Sequence, residues 1–207
     1  MDHDQNFKNL IVDYPKQALE FFAADEVCPL DDTVKITPVR QEQLKNRLGD
    51  RFRELDVPLL VEWPNGHREA LLFAVEEHTD PRRFSIHRIA HYCLDLAEMF
   101  DTRRVVPVVI FLNQNQCPGE LRIGGDRVDY LEFRYLACHL KQRIAEDYRQ
   151  SDNIIARLNL PNMAWRPEQK VDVYAWAIQG LLELEPDLEK QLKYVDFIDI
   201  YIPLIFR

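Results

Sequence analysis

The sequence predicts an α/β protein with a mixed central sheet flanked by helices, and three observations support this prediction. Residues 55–63 and 68–78 are β-prone runs on either side of an Asn-Gly pair, which is a strong hairpin signal. An amphipathic stretch from Phe84 to Phe100 then leads into the apolar run 105–112, as expected for a helix that crosses over to a buried strand. The order of hairpin, helix and strand indicates a single sheet.

The segment before the hairpin is expected to be largely helical. Apolar residues recur with helical spacing over residues 4–24, and Pro15 should kink this helix or divide it into two. Residues 25–33 are expected to form a loop, 33–39 a short strand and 40–52 a short helix. The first quarter of the chain therefore supplies helices and one further strand.

The segment after the apolar run is polar at first and then rich in helix. The loop that follows Asn113 leads into a predicted strand over residues 127–137. Helices are predicted over 141–159, 168–185 and 187–200. We therefore expect a core over residues 1–140 and an α-helical C-terminal extension, residues 141–207, packed on that core.

Composition and charge exclude several classes of protein. The 207 residues include 26 Lys and Arg against 35 Asp and Glu, so the net charge is −9. Such an acidic chain is a poor candidate for nucleic-acid binding that depends on bulk charge. No apolar run approaches the ~20 residues of a membrane span, so no membrane partner is expected. The 4 cysteines form no CxxC pair, which favours a reduced, cytoplasmic location.

Acidic side chains gather at one end of the predicted hairpin. Glu76 and His78 alternate onto the same face of its second strand. With a two-residue turn Asp56 pairs with Val75, and a shift of one residue pairs it with Glu76. Two carboxylates at one strand end can hold Mg²⁺, and a third polar group can orient or deprotonate a water. The pattern is compatible both with metal-assisted phosphodiester hydrolysis and with solvated residues at strand ends.

Six short motifs extend this pattern across most of the chain. They are His3-Asp4-x-x-Phe7-Lys8, Glu54-Leu55-Asp56, Val75-Glu76-Glu77-His78, Arg88-Ile89-Ala90-His91-Tyr92, Val106-Pro107-Val108-Val109-Ile110-Phe111 and Asp129-Tyr130-Leu131-Glu132-Phe133. In order and spacing they resemble the recombination-promoting nuclease and putative transposase family, which lies within the PD-(D/E)xK nuclease superfamily.

The resemblance implies a restriction-endonuclease-like core and a Mg²⁺-dependent DNA endonuclease, with Mn²⁺ as a substitute metal. Asp56 and Glu76 would be the metal ligands, and Arg88 would contact the DNA substrate. His78 would be the third catalytic residue, where the superfamily has Lys and this family often has Gln. A neutral imidazole can act as a base near pH 7, but it lacks the fixed positive charge of Lys.

The same residues leave an alternative open. A catalytically weakened or inactive nuclease-fold protein, retained as a binding or scaffold module, is favoured by His78 and by the net charge of −9. The apolar run over residues 201–206 is compatible with a docked tail, a homodimer contact or a longer parent protein. Substitution of Asp56 or Glu76 distinguishes the enzyme from the scaffold, because only the enzyme needs both carboxylates.

Some further residues are candidates of lower rank. Additional phosphate contacts in the nuclease interpretation would be Arg82, Arg83, Arg103 and Arg104. His87 and His91 are spaced i, i+4 on one predicted helix, as in a metal-binding pair, but the sequence offers no evident further ligand. The three tryptophans, Trp63, Trp165 and Trp176, are interpreted as packing residues.

Overall fold

The computed structural model describes residues 3–26, 30–39, 44, 57–66, 68–76, 84–112 and 117–202, with the backbone alone for 3–5 and 68–76. The helices are α1 (His3–Asp13), α2 (Pro15–Phe22), α3 (Ile86–Phe100), α4 (Ile154–Leu158), α5 (Lys170–Leu184) and α6 (Leu188–Tyr201). The strands are β1 (Lys35–Pro38), β2 (Val57–Glu62), β3 (Arg68–Glu76), β4 (Val105–Phe111), β5 (Glu120–Gly124), β6 (Asp129–Arg134) and β7 (Leu136–His139). Within these residues, no helix is both long and apolar enough to cross a membrane.

The mixed α/β prediction is confirmed by a five-stranded sheet with the order β1-β2-β3-β4-β7. The β1–β2 and β2–β3 pairs are antiparallel, whereas β3 and β4 are parallel. Helix α3 connects β3 to β4, because two parallel neighbours need a crossover connection. The order of β2–β3 hairpin, helix α3 and buried strand β4 is the order predicted from the sequence.

The predicted division of the first helix at Pro15 is confirmed. Helix α1 ends at Asp13, and α2 begins with Pro15 at its first position. Proline is tolerated there because the first N–H groups of a helix have no partner within the helix. The backbone N–H of Tyr14 still donates to the carbonyl of Leu10 at 3.1 Å, and the carbonyl of Tyr14 accepts from the N–H of Ala18 at 2.9 Å. The two helices therefore remain joined by backbone hydrogen bonds.

Three predictions for the middle of the chain are wrong. The strand predicted over residues 127–137 is two strands in different sheets, β6 and β7, and the preceding polar segment forms β5. The helix predicted over 141–159 is replaced by two 3₁₀ turns and the short α4. The side chain of Asn153 accepts from the N–H groups of Ile155 and Ala156, so it begins a new helix where a continuous one was expected.

The chain divides into two compact units. The terminal unit comprises residues 1–21 and 139–207, and the sheet unit comprises residues 22–138. Thus α1 and most of α2 belong with the C-terminal helices and not with the sheet. The predicted helix over 40–52 lies outside the described residues apart from Leu44, which is helical and fully buried in the sheet unit.

One apolar cluster forms the core of the sheet unit beneath α3. Its members from α3 include Ile89, Cys93 and Leu96, and its members from β4 are Val109 and Phe111. The helix therefore covers the face of β4 on which these odd-numbered residues lie. Burial raises the pKa of the Cys93 thiol to about 12, so this cysteine is a core residue and not a nucleophile.

The terminal unit is joined by hydrogen bonds between residues far apart in sequence. The hydroxyl of Tyr14 donates to the buried carboxylate of Glu185. The hydroxyl of Tyr194 donates to Asp13 at 2.7 Å, and Lys193 lies 2.6 Å from the same Asp13 oxygen. These bonds connect the junction of α1 and α2 to Glu185, which follows α5, and to Lys193 and Tyr194 within α6.

The ionisation of Asp13 is expected to make the stability of the protein depend on pH. Burial alone would raise the pKa of Asp13, but hydrogen bonds from Lys193 and Tyr194 hold it below the ordinary value of 3.8. The folded state therefore binds this proton less tightly than the unfolded state does. The stabilisation is present above the unfolded pKa and is lost as the pH falls through the folded pKa. Chemical unfolding across the acid range should show a shallower pH dependence for Asp13→Asn than for the wild type.

Gly180 allows the side chain of Arg157 to cross α5 at close range. A Cβ atom at position 180 would lie 2.3 Å from Nε and 2.7 Å from Cβ of Arg157. A glycine inside a helix costs about 1 kcal/mol relative to alanine. The protein tolerates this loss of stability at Gly180, where the buried Arg157 lies against the helix backbone.

Gly180→Ala is expected to lower the free energy of unfolding by about 1–3 kcal/mol. The strain of displacing Arg157 from the added Cβ atom should exceed the stability gained from the better helix propensity of alanine. Urea unfolding measures this change. Gly119→Ala is the matched control, since nothing lies within 4 Å of a Cβ atom at position 119. The steric explanation fails if Gly180→Ala is equally costly in an Arg157→Ala background.

Candidate functional site

The four site residues predicted from the sequence differ in what the structure says about them. Asp56 and His78 lie outside the described residues. Glu76 is the last residue of β3, and its backbone position is described. Arg88 is the third residue of α3, and its side chain is described. The geometry of the site is therefore built from Glu76, Arg88 and the elements that hold them.

The crossover through α3 places Glu76 and Arg88 at the same edge of the sheet. Glu76 pairs with Phe111 at the end of the parallel β3–β4 ladder. Since β4 runs parallel to β3, the helix that connects them must return antiparallel to both, and so it begins near the carboxyl ends of the strands. Ligands of open α/β sheets bind at this edge.

Position 76 also lies on the face of the sheet that α3 covers. Val109 and Phe111 of β4 pack with α3 in the core cluster, and their partners on β3 are Ala74 and Glu76. Directly paired residues lie on the same side of a sheet, because successive positions alternate between the two faces. Glu76 and the first turn of α3 therefore share one face and one edge.

The first turn of α3 is fixed by a side-chain cap. The hydroxyl of Ser85 accepts from the backbone N–H of Arg88 at 3.2 Å, as an N-cap residue does. The half-buried side chain of Arg88 has its Nε buried, and none of the described residues supplies a hydrogen-bond partner for it. A buried unsatisfied donor costs free energy, which a carboxylate or phosphate oxygen beside it would recover.

Three aromatic rings form a wall at this edge of the sheet. Phe84 precedes the Ser85 cap, and its ring centroid lies 5.8 Å from that of Phe111 and 5.5 Å from that of Tyr135. The hydroxyl of Tyr135 donates to the carbonyl of Pro118 at 2.8 Å. Burial raises the pKa of Tyr135 to about 12, so its hydroxyl stays protonated at neutral pH. The wall supports the site and supplies no base.

The observed register of the hairpin differs from the register that the predicted pairings of Asp56 assume, and Asp56 itself lies outside the described residues. Val57 pairs with Phe73, so the paired residue numbers sum to 130, and neither pairing predicted for Asp56 follows from this register. The reason is the turn: Glu62 pairs with Arg68, so five sequence positions separate the last paired residues where a two-residue turn was predicted. Gly66 has a positive φ of 82°, as this loop requires.

Pro58 is accommodated within β2, although this strand lies between β1 and β3. Its carbonyl accepts from the N–H of Val39 at 2.9 Å, just beyond the end of β1. The N and C=O of a strand residue point to the same side, so the position without an N–H faces β1 and leaves the β2–β3 ladder intact.

Two of the arginines proposed as phosphate contacts do not lie near Glu76. Arg103 and Arg104 directly precede β4, at the opposite end of the ladder from the Glu76–Phe111 pair. At about 3.3 Å per residue, the length of the strand separates them from that edge by about 20 Å. Arg82 and Arg83 lie outside the described residues.

The structure gives no support to a metal pair on α3. His87 and His91 are both exposed. Among the residues that the structure describes, no three or more His, Cys, Asp or Glu side chains form a group that could hold a metal ion. Asp56 and His78 are outside this search, so the predicted carboxylate site stays a prediction.

Sequence reasoning missed the residues that shape this edge. Ser85 precedes an amphipathic run, which is the usual signal for an N-cap, and it could have been found from the sequence. Phe84 and Tyr135 carry no comparable local signal, because 51 residues separate them and only the folded sheet unit brings their rings together.

The chain matches no family model, no curated protein and no solved structure in the comparisons made.

Proposed function

We propose that the chain is a metal-dependent DNA endonuclease whose site lies at the carboxyl edge of β3 and β4. The observation that carries the proposal is the position of Glu76, which ends β3 on the face covered by α3. The first turn of that helix holds Arg88, whose buried Nε has no hydrogen-bond partner within the part of the chain that the structure describes. A carboxylate and an unsatisfied guanidinium at one edge suit a metal ion and a phosphate.

The residues available at this edge fit the chemistry of Mg²⁺. In the proposal Asp56 and Glu76 hold the metal, and carboxylate oxygens are the protein ligands that Mg²⁺ prefers. The proposal requires the β2–β3 register to continue to Asp56, because even-numbered residues of the two strands then share a face. Mn²⁺ would substitute, since it also accepts oxygen ligands in octahedral geometry.

Each protein group has a defined part in hydrolysis of the phosphodiester. When bound, Mg²⁺ supplies Lewis-acid stabilisation of the phosphate and lowers the pKa of a water. His78 would orient an attacking water and accept its proton as a general base near neutral pH, and the P–O bond to the leaving oxygen would break as that oxygen takes a proton from solvent. Arg88 donates a hydrogen bond to a phosphate oxygen of the DNA. Local neutralisation of the phosphate by metal and Arg88 removes the need for a basic surface on a chain of net charge −9.

Cleavage of supercoiled plasmid tests the proposal. Purified wild-type protein is incubated with Mg²⁺, with Mn²⁺ or with EDTA, beside the Asp56→Ala variant. We expect nicking that requires the metal and that Asp56→Ala abolishes while its circular dichroism spectrum is unchanged. Absence of cleavage by a folded protein with either metal would instead favour the inactive binding or scaffold module. Rescue by His78→Lys or His78→Gln would then attribute the inactivity to that position.

Arg88→Met is expected to slow plasmid cleavage by about 10- to 100-fold, which corresponds to the loss of one charge-assisted hydrogen bond of about 1.5–3 kcal/mol. The thermal midpoint should not fall, because methionine keeps the apolar stem and removes a buried donor without a partner. Arg134→Met on the exposed strand β6 is the charge-matched control. Equal cleavage by the two variants would exclude Arg88 as a phosphate contact.

A further inference from the structure

The terminal unit contains a cavity of about 510 Å³, and every residue that lines it belongs to that unit. This volume lies within the range of small-molecule sites, about 300–1,000 Å³. One wall is the turn that precedes α4, and the other is a face of α5. The lining residues that matter chemically are Arg149, Asp152, Arg157, Trp176, Gln179 and Glu183.

Arg157 is a buried cation in the wall of this cavity. Its side chain is 4% exposed, whereas arginine is almost never so deeply buried without full pairing. Its Nη2 donates to the carbonyl of Trp176 at 3.2 Å and lies 3.4 Å from a carboxylate oxygen of Glu183. Its Nε is buried against Gly180, and no described residue supplies a hydrogen-bond partner for it. Pairing within the protein therefore leaves this guanidinium incompletely satisfied.

Trp176 and Arg149 place a flat aromatic surface and a second cation beside Arg157. The guanidinium carbon of Arg149 lies 5.6 Å from the centroid of the Trp176 ring. Arg149 is exposed and forms an ion pair with the surface carboxylate of Glu146, at 3.8 Å. A planar ligand can stack on the indole. Arg149 can then change its position to accommodate the ligand, because its side chain lies at the surface.

Acceptor groups complete the cavity. Glu183 is half exposed and lies on the same face of α5 as Trp176, about two helical turns away. Gln179 donates to one Glu183 oxygen at 2.7 Å and so fixes the orientation of the carboxylate. Asp152 adds a second exposed carboxylate at the cavity. The cavity thus presents two cations, two anions and one aromatic surface.

We propose that this cavity binds a mononucleotide. The base stacks on Trp176, the phosphate accepts hydrogen bonds from Arg149 and Arg157, and the carboxylates of Asp152 and Glu183 accept from base N–H groups or ribose hydroxyls. An inorganic anion would use the arginines but neither the indole nor the carboxylates. A neutral aromatic molecule would leave the buried Arg157 unsatisfied.

Isothermal titration calorimetry of the full chain tests this site with AMP, GMP, CMP and UMP, beside adenosine and inorganic phosphate. We expect at least one nucleoside monophosphate to bind saturably and to quench tryptophan fluorescence. Adenosine and phosphate alone should each bind at least about tenfold more weakly than the nucleoside monophosphate, because each lacks one set of contacts.

Two variants and one control decide whether binding occurs at this cavity. Arg149→Ala should weaken binding by about tenfold, and Trp176→Leu should abolish the fluorescence quenching. Arg134→Ala, on the exposed strand β6, should bind as the wild type does. If Trp176→Leu fails to fold, the exposed Arg149 still provides the test. Absence of nucleotide binding, equal affinity for phosphate alone, or wild-type affinity of Arg149→Ala would each overturn the proposal. None of these outcomes depends on DNA cleavage.

Discussion

Glu76→Gln is expected to abolish metal-dependent cleavage of plasmid DNA, with a loss of about a thousandfold or more. Glutamine keeps the shape of the side chain but removes the negative charge that a divalent cation requires of its ligand. Metal assistance contributes several kcal/mol to the barrier of such reactions, and each 1.36 kcal/mol corresponds to a tenfold change in rate. Initial rates of plasmid nicking measure the loss.

The same change at an exposed carboxylate provides the control for Glu76→Gln. Glu132→Gln on β6 removes a charge whose carboxylate contacts Arg134 at 2.7 Å on the protein surface. Its cleavage rate should match that of the wild type. A second readout separates metal binding from catalysis: calorimetric titration with Mn²⁺ in the absence of DNA should lose its saturable phase in Glu76→Gln alone. Wild-type cleavage by Glu76→Gln would remove Glu76 from the site.

The hairpin shows how far sequence patterns determine the position of Glu76. The sequence pattern predicted a strand over residues 68–78 with Glu76 near its end, and the structure confirms β3 from Arg68 to Glu76, while residues 77–78 lie outside the described residues. The pairing of β2 with β3 was predicted one residue out, because Asn65-Gly66 indicated a two-residue turn where the chain forms a longer loop. A shift of one residue changes which side chains share a face, so turn length decides the site as much as strand pattern does.

The environments of the buried arginines could not be predicted from local sequence. Arg88 lies on an amphipathic helix at a position that looks equally suited to solvent, and its unsatisfied Nε results from packing in the sheet unit. Arg157 lies in a segment for which the wrong helix was predicted. Gly180 in the middle of α5 was the available signal, since a glycine inside a helix often marks a close approach.

Long-range polar contacts are a further class that sequence patterns do not reveal. Tyr14 lies within the stretch 4–24 whose helical spacing of apolar residues predicted a buried face, and it is buried. Its hydroxyl donates to Glu185, which lies 171 residues away. Helical periodicity selects buried positions, but it contains no information on which polar group meets another in the folded unit.

Tyr14→Phe is expected to lower the free energy of unfolding by about 2 kcal/mol, because it leaves one oxygen of the buried Glu185 carboxylate without its donor. The other Glu185 oxygen retains the N–H of Asp187 at 2.8 Å, so the carboxylate is not left wholly unpaired. The substitution preserves the ring contacts of Tyr14, whose centroid lies 5.4 Å from that of Tyr194. Urea unfolding at neutral pH measures the hydrogen bond nearly alone.

A double-mutant cycle with Glu185→Gln attributes the effect of Tyr14→Phe to the Tyr14–Glu185 hydrogen bond. A neutral amide accepts a hydrogen bond about half as strongly as a carboxylate, so Tyr14→Phe should cost about half as much in that background. Tyr130→Phe is the matched control, since Tyr130 is 83% exposed and the change should lie within about 0.5 kcal/mol of zero. An equal cost of Tyr14→Phe in both backgrounds would show that Glu185 is not the group that loses its partner. Because this bond connects the junction of α1 and α2 to the segment between α5 and α6, its loss should also increase hydrogen exchange at the end of α5.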